Sequence, residues 1–194
     1  MAYELKKRNI SYVENTVATD LSGTLSSYCD DPYDFCVIKN SRSITIEKDF
    51  VCDTKGLILS GSDIKISPDM TNSSTSSDSA CIILAKNDIN IDQGDSKSDA
   101  DVNYDIIQAF MIAGEDINIE SDEFNNGLIV EGGLFGFSKE NGTSILNSRS
   151  ISWSFRNQYP IIVVDNNGKY GLLSKDIFGS QVEIFKLEIG FKPY

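Results

Sequence analysis

Three aspartates occupy one position of a recurring motif: Asp63, Asp88 and Asp116 each open an Asp-Ile-x-Ile run. If those runs stack, the carboxylates stand about 5 Å apart and repel one another unless neutralised. A bound Ca²⁺ would do so, with oxygen ligands from neighbouring runs. The simpler role, and the one favoured, is that each carboxylate accepts backbone N–H groups at a chain corner. A second acidic group, Asp92, Asp95, Asp99 and Asp101, lies in a polar stretch and reads as a solvated loop. Asp88-Ile-Asn-Ile-Asp-Gln-Gly approaches a Ca²⁺-binding loop, but Gly94 is seventh where that loop needs it sixth. No metal or cofactor site is therefore expected. Arg42 and Arg149 sit at corner positions and read as surface charges.

The chain contains no histidine. That removes Ser-His-Asp and Cys-His catalysis, His-bearing zinc sites and the usual proton shuttle near neutral pH. Four cysteines, Cys29, Cys36, Cys52 and Cys81, all fall in the first half of the chain, with no CxxC pair among them. Zinc binding is a weak reading of that spacing. Cys29 and Cys36 enclose Asp30, Asp31 and Pro32, a short loop that suits a disulfide. Disulfides are the preferred reading of all four, with buried free thiols as the alternative and the connectivity open. Lys and Arg number 17 against 29 Asp and Glu, a net charge of 17 − 29 = −12. Nucleic acid and anionic membranes are poor partners for such a chain. No apolar stretch approaches 18 residues, so no direct membrane insertion is expected. The opening Met-Ala-Tyr-Glu-Leu-Lys-Lys-Arg leads into no apolar leader. Either the protein stays in the cytoplasm or a leader has been removed. Three sequons, at Asn9, Asn72 and Asn141, are compatible with a surface location.

The elements that hold these residues are read from an internal repeat. Residues 57–66 (Leu-Ile-Leu-Ser-Gly-Ser-Asp-Ile-Lys-Ile), 82–91 and 110–119 share one pattern, which extends to 37–46, 128–137 and 144–153. Each unit is three apolar residues, a small polar corner, then apolar–polar–apolar. The anchors Ile44, Ile64, Ile89, Ile117, Phe135 and Ile151 are 20, 25, 28, 18 and 16 residues apart. Constant strands with one variable loop predict an all-β fold, a single-stranded parallel β-helix (β-solenoid) of about six coils. At about 4.8 Å per coil its core is roughly 25 Å long. An antiparallel sandwich is the competing architecture, but it gives no reason for an in-phase Asp-Ile-x-Ile. Residues 1–34 are read as an N-terminal capping or covering segment, 35–155 as the solenoid, and 156–194 as a C-terminal β cap or stub. Within the last, Asn167-Gly168 predicts a type I′ hairpin. Residues 69–80 and 92–105 are read as exposed insertions.

Strand parity yields the candidate partner face. The inward pairs expected are Ile44/Ile46, Ile64/Ile66, Ile89/Ile91, Ile117/Ile119, Phe135/Phe137 and Ile151/Trp153 in the second strand, with Leu57/Leu59, Ile82/Leu84, Phe110/Ile112 and Leu128/Val130 in the first. Val37, Ile58, Ile83, Met111, Ile129 and Ile145 would then point outward as an apolar stripe. Either a terminal segment covers that stripe (residues 1–28, with Ile10, Val13, Val17 and Leu21, or the C-terminal region), or it docks a protein partner or a second copy.

The runs Leu57-Ile-Leu-Ser-Gly-Ser-Asp-Ile and Leu128-Ile-Val-Glu-Gly-Gly-Leu-Phe resemble coils of β-helical bacterial cell-surface proteins, including pilus-associated ones, over residues 35–155. The resemblance implies an extracellular structural or adhesive role and transfers no functional residue. Bactofilin polymers are a second resemblance, from which the long loops depart; it implies a cytosolic self-assembling scaffold. Polysaccharide-cleaving enzymes also use β-helices, but need paired acids in a groove. Here basic and aromatic residues are sparse on the coils, so no enzymatic activity is expected.

Overall fold

The computed structural model describes residues 12–16, 18–29, 35–73, 78–94, 102–121, 126–137, 144–151, 160–165, 168–170 and 172–173. The chain makes six successive passes through three parallel sheets. The first pass is β1 (Tyr12–Asn15) and β2 (Asp20–Leu21), closed by a Thr24 bridge to Val51 and a 3₁₀ turn (Leu25–Tyr28). The second is β3 (Phe35–Asn40), β4 (Ile44–Ile46) and β5 (Phe50–Cys52). The third is β6 (Lys55–Ser60), β7 (Ile64–Ile66) and β8 (Met70–Asn72). The fourth is β9 (Ala80–Ala85), β10 (Ile89–Ile91) and β11 (Asn103–Ile107). The fifth is β12 (Ala109–Ala113), β13 (Ile117–Ile119) and β14 (Asn126–Glu131). The sixth is β15 (Gly133–Gly136), β16 (Ile145–Asn147) and β17 (Ile162–Asp165).

Each strand pairs in parallel with its counterpart one pass away. The orders are β1-β3-β6-β9-β12-β15, β2-β4-β7-β10-β13-β16 and β5-β8-β11-β14-β17. No sheet closes into a barrel among the described residues. Side chains alternate along a strand, so in-register pairing stacks like on like. In the second sheet Ile44, Ile64, Ile89, Ile117 and Ile145 align, and Ile46, Ile66, Ile91 and Ile119 align beside them. Apart from Ile145 in the last pass, these isoleucines are 0–1% exposed, as their alternation predicts. They share one core with Cys36, Ile38, Ile58, Ile83 and Met111 of the first sheet and Phe50, Met70, Ile107, Leu128 and Val130 of the third. Gly56 is required there: a Cβ on it would strike the side chain of Leu25 and come within 3.0 Å of Cys81 Sγ.

From β6 to β12 the first sheet has the opposite parity to that read from sequence, while Val37 of β3 faces outward as read. Ile38, Ile58, Ile83 and Met111 align and face the core, while Val37, Leu57, Ile82 and Phe110 align and face away. The cause is a strand buried on both faces, whose continuous apolar run carries no parity of its own. The repeat also slips in phase near its end. Leu128–Val130 lies in the third sheet and Phe135 in the first, in register with Ile112. Ile145 lies in the second sheet, opposite Ile117, and Ile151 is buried outside any strand. Phe135 and Phe137, expected to face inward, are 38% and 67% exposed, because the slip puts Phe135 in the outward ladder of the first sheet; Trp153, the expected partner of Ile151, lies outside the described residues.

A third strand per pass is the larger addition. Residues 70–72 and 103–105, expected in exposed insertions, are β8 and part of β11, and Asp105 is buried. The expected N-terminal cover contributes β1 and β2, in register with β3 and β4. Asn167 of the expected Asn167-Gly168 hairpin lies outside the described residues. Residues 168–170 are helical, and Gly168 lacks the positive φ that a type I′ turn requires.

Candidate functional site

Both disulfides form: Cys29–Cys36 at 2.00 Å and Cys52–Cys81 at 2.02 Å. The first ties the end of the 3₁₀ turn to β3. The second joins β5 to β9 between buried residues of the third and first sheets. Bonds of this kind persist in oxidising compartments.

Two members of the acidic ladder, Asp63 and Asp88, have the corner role, whereas Asp116 Oδ1 is buried without a hydrogen-bond partner among the described residues. Asp63 Oδ1 accepts the Asp88 N–H at 3.4 Å, and Asp88 Oδ1 accepts the Asp116 N–H at 2.9 Å. Other carboxylates are engaged in the same way. Asp53 Oδ1 accepts Ser26 N–H at 2.9 Å, and Asp69 Oδ1 accepts Ile106 N–H at 2.7 Å. Asp92 pairs with Lys65 at 2.9 Å on the surface, which holds the Lys65 pKa above its ordinary value through that hydrogen bond and the charge of Asp92. Asp95, Asp99 and Asp101 lie outside the described residues. Among the described residues no group of three or more His, Cys, Asp or Glu side chains is placed to hold a metal ion.

Arg149 is not a surface charge. Its side chain is buried, with Nη1 2.6 Å from Asp105 Oδ2. Nη1 also donates to the Gly127 carbonyl at 2.7 Å, and Nη2 to the Asp92 carbonyl at 2.8 Å. One guanidinium thus joins the fourth, fifth and sixth passes. Asp105 Oδ2 also accepts Gly94 N–H at 2.9 Å, so the cluster extends to Gly94. Sequence reasoning missed it; the available signal was Asp105 at the same parity as the core residue Ile107.

The six residues expected as one apolar stripe are not brought together. Ile58, Ile83 and Met111 are interior, Ile129 is half-buried in the third sheet, and Ile145 belongs to the last strand of the second. Val37 does face outward, beside Phe35, Leu57, Ala80 and Ile82, yet all five are 0–3% exposed. Tyr170 and Leu173 cover them. An apolar outer strip therefore exists, on the other parity, and the C-terminal region covers part of it.

Polar contacts fix this cover. Asn72 Nδ2 donates to the Tyr170 hydroxyl at 2.8 Å, the Asn72 N–H donates to Gln108 Oε1 at 2.6 Å, and Gln108 Nε2 donates to Glu131 Oε2 at 2.6 Å. Burial pushes the Tyr170 pKa up to about 12, against the lowering effect of its Asn72 bond. Burial also pulls Lys169 below its ordinary value, and Glu131 opposes this. Asn72, a sequon residue, has its amide engaged here. Asn9 and Asn141 lie outside the described residues.

Beyond the cover the strip opens. Phe110 and Phe135 stack with centroids 5.2 Å apart, and Phe135 and Phe137 are 38% and 67% exposed. No protein-family model matches this chain, and no curated protein or solved structure matches it. Its reading rests on the geometry alone.

Proposed function

We propose that the three sheets are the faces of one single-stranded parallel β-solenoid of six coils, and that the protein is a non-enzymatic structural or adhesive module of the cell surface. The observation that carries this is the in-register isoleucine ladder of the second sheet, continuous from Ile44 to Ile145. Such a rod works by holding loops and apolar faces at fixed spacing, as repeat architectures do. The carboxylates support a structural reading: Asp53, Asp63, Asp69, Asp88 and Asp105 are all spent on backbone or ion-pair contacts. The disulfides support an oxidising location.

The test is made on intact cells that express the protein natively. Thiol trapping followed by mass spectrometry is expected to find all four cysteines oxidised, and external protease is expected to remove the protein. Reduced cysteines with protease resistance would replace this reading with a cytosolic scaffold. Cleavage of acidic polysaccharides by the purified protein would replace it with an enzyme.

A further inference from the structure

The two disulfides share one column of the first sheet. Cys36, Gly56 and Cys81 are in register on consecutive passes. Cys36 carries the bond to Cys29, and Cys81 the bond to Cys52. Gly56, between them, has no side chain, and Leu25 takes the space: a Cβ there would strike Leu25 and come within 3.0 Å of Cys81 Sγ. The Leu25 carbonyl oxygen is 3.6 Å from Cys36 Sγ. One fully buried leucine of the 3₁₀ turn thus borders a sulfur of each disulfide.

The two bonds differ in access. Cys52 and Cys81 are both 0% exposed. Cys36 is buried too, but Cys29, which ends the turn, is only half-buried. Access helps to set the rate at which a thiolate attacks a disulfide, so Cys29 Sγ is the sulfur that an outside thiolate reaches first. Besides the bond to Cys36, the turn is tied by hydrogen bonds. Asp53 Oδ1 accepts Ser26 N–H at 2.9 Å, Asn15 Nδ2 donates to the Tyr28 carbonyl at 3.3 Å, and the Tyr28 hydroxyl accepts Ser22 N–H at 2.8 Å. The first and last of these are exposed, and segments held by exposed hydrogen bonds open locally at less cost than the core. The covalent tie is what holds Leu25 over Cys81.

We propose that Cys29–Cys36 is a thiol-exchange site for an external dithiol reductant and that it guards Cys52–Cys81, so the two bonds are reduced in that order. One thiolate of the dithiol attacks Cys29 Sγ. The Cys29–Cys36 bond breaks, and Cys36 leaves as a thiolate that takes a proton from solvent. The second thiolate of the reductant then attacks the reductant's own sulfur in the mixed disulfide, and Cys29 leaves and is protonated in turn. The reductant ends as a disulfide, and the protein has gained two electrons and two protons. The turn, now held by hydrogen bonds alone, opens locally. Leu25 leaves Gly56, and Cys81 Sγ meets the same two-step exchange. The outer bond spans 7 residues and the inner one 29. On the chain-entropy account the shorter loop contributes less, so the first step leaves the fold standing.

Timed reduction of the full chain tests this. The oxidised protein is held without denaturant in dithiothreitol at about pH 8, where thiolate is available, and samples are blocked with iodoacetamide and read by peptide mass spectrometry. Cys29 and Cys36 are expected to be labelled together, and Cys52 and Cys81 at least tenfold more slowly, with the far-UV circular dichroism unchanged after the first stage. In the double variant Cys29→Ser with Cys36→Ser, the inner pair is expected to be reduced at least tenfold faster than in the wild type. Leu25→Ala, which uncovers Gly56 and keeps the outer bond, is expected to do the same, and it decides if circular dichroism shows the serine variant unfolded. Ile64→Ala, a core cavity in another sheet, is expected to leave the inner rate unchanged. The proposal is overturned by a wild type whose two pairs are reduced at one rate, in the reverse order or not at all. Folded variants at Cys29 and Cys36 or at Leu25 whose inner pair keeps the wild-type rate overturn it too, as does equal acceleration by Ile64→Ala. None of these results touches the surface-module reading, which rests on the state of the cysteines in intact cells.

Discussion

Replacing Arg149 by methionine removes the cation that holds three passes together and leaves its stem in place. Asp105 then keeps a carboxylate whose side chain is 10% exposed, with Gly94 N–H as its remaining partner at 2.9 Å. The carbonyls of Gly127 and Asp92 lose donors at 2.7 and 2.8 Å. Breaking one side of a buried ion pair costs about 3–5 kcal/mol, because the orphaned charge stays desolvated. For a chain of this size each kcal/mol moves the melting temperature by about 2–4 °C. The expected loss is therefore about 6–20 °C. Urea denaturation followed by far-UV circular dichroism measures the free energy, and a thermal scan gives the shift. The double variant Arg149→Met with Asp105→Leu removes both charges and is expected to recover most of the loss, since an apolar pair of similar volume replaces a buried ion pair at little cost. Two results would refute the reasoning. One is a single-variant loss below about 1 kcal/mol, the range of an exposed pair. The other is a double variant no more stable than Arg149→Met.

The Cys52–Cys81 bond closes a loop across a separation of 29 residues, so the double change to alanine is expected to cost about 3–4 kcal/mol on the chain-entropy account, read as a fall in the urea midpoint. Tyr170 has its folded pKa raised to about 12 against 10.0. Its stabilisation is complete below pH 10 and is lost as pH rises from 10 to 12, by about 2–3 kcal/mol at 1.36 kcal/mol per unit. Absorbance at the phenolate band should show a late-titrating component, which Tyr170→Phe removes. Tyr170→Ala is expected to uncover Phe35, Val37, Leu57 and Ile82 and to cost about 3–5 kcal/mol, the range for deleting a buried aromatic ring, with a rise in dye binding to apolar surface. In the second sheet Ile64→Ala is expected to cost about 2–5 kcal/mol by the cavity it leaves. Its neighbour Lys65→Ala, which breaks only an exposed pair with Asp92, is expected to cost under about 1 kcal/mol; paired urea curves check the contrast.

The second sheet was legible because its strands are half-buried. Asp-Ile-Lys-Ile, Asp-Ile-Asn-Ile and Asp-Ile-Asn-Ile alternate cleanly, so position and parity are written in each run. The first sheet was legible in position and not in parity, since Leu-Ile-Leu and Ile-Ile-Leu offer an apolar residue to either side. One signal was present and unused: Lys39 and Lys55 share the parity of Val37 and Leu57, which places that set outside. Gly56 and Cys81, small residues in register at the core-facing positions, point the same way. The third sheet was legible only in part: Leu128 and Val130 were read as an inward pair and are buried, but its earlier strands were not seen. Phe-Val-Cys, Met-Thr-Asn and Asn-Tyr-Asp-Ile-Ile share no motif; the second lies within a polar stretch that read as a loop and the third begins within another.

The slip at 128–137 has a deeper cause. Leu-Ile-Val-Glu-Gly-Gly-Leu-Phe-Gly-Phe matches the repeat as a string, yet it spans the corner from the third sheet to the first. The repeat unit encodes two strands and a corner, and each described corner of this fold joins strands of two parallel sheets. A local pattern can therefore identify a corner without saying which of the three it is. What decides is the length of chain around the full circuit, because β14 must lie over β11 and β15 over β12 before either buries its inward face. The same logic explains the open end. Ile145 and Val164 are inward residues by register, but register is completed only by the pass that follows. No described residue supplies that pass, and Ile145 and Val164 are accordingly 39% and 46% exposed.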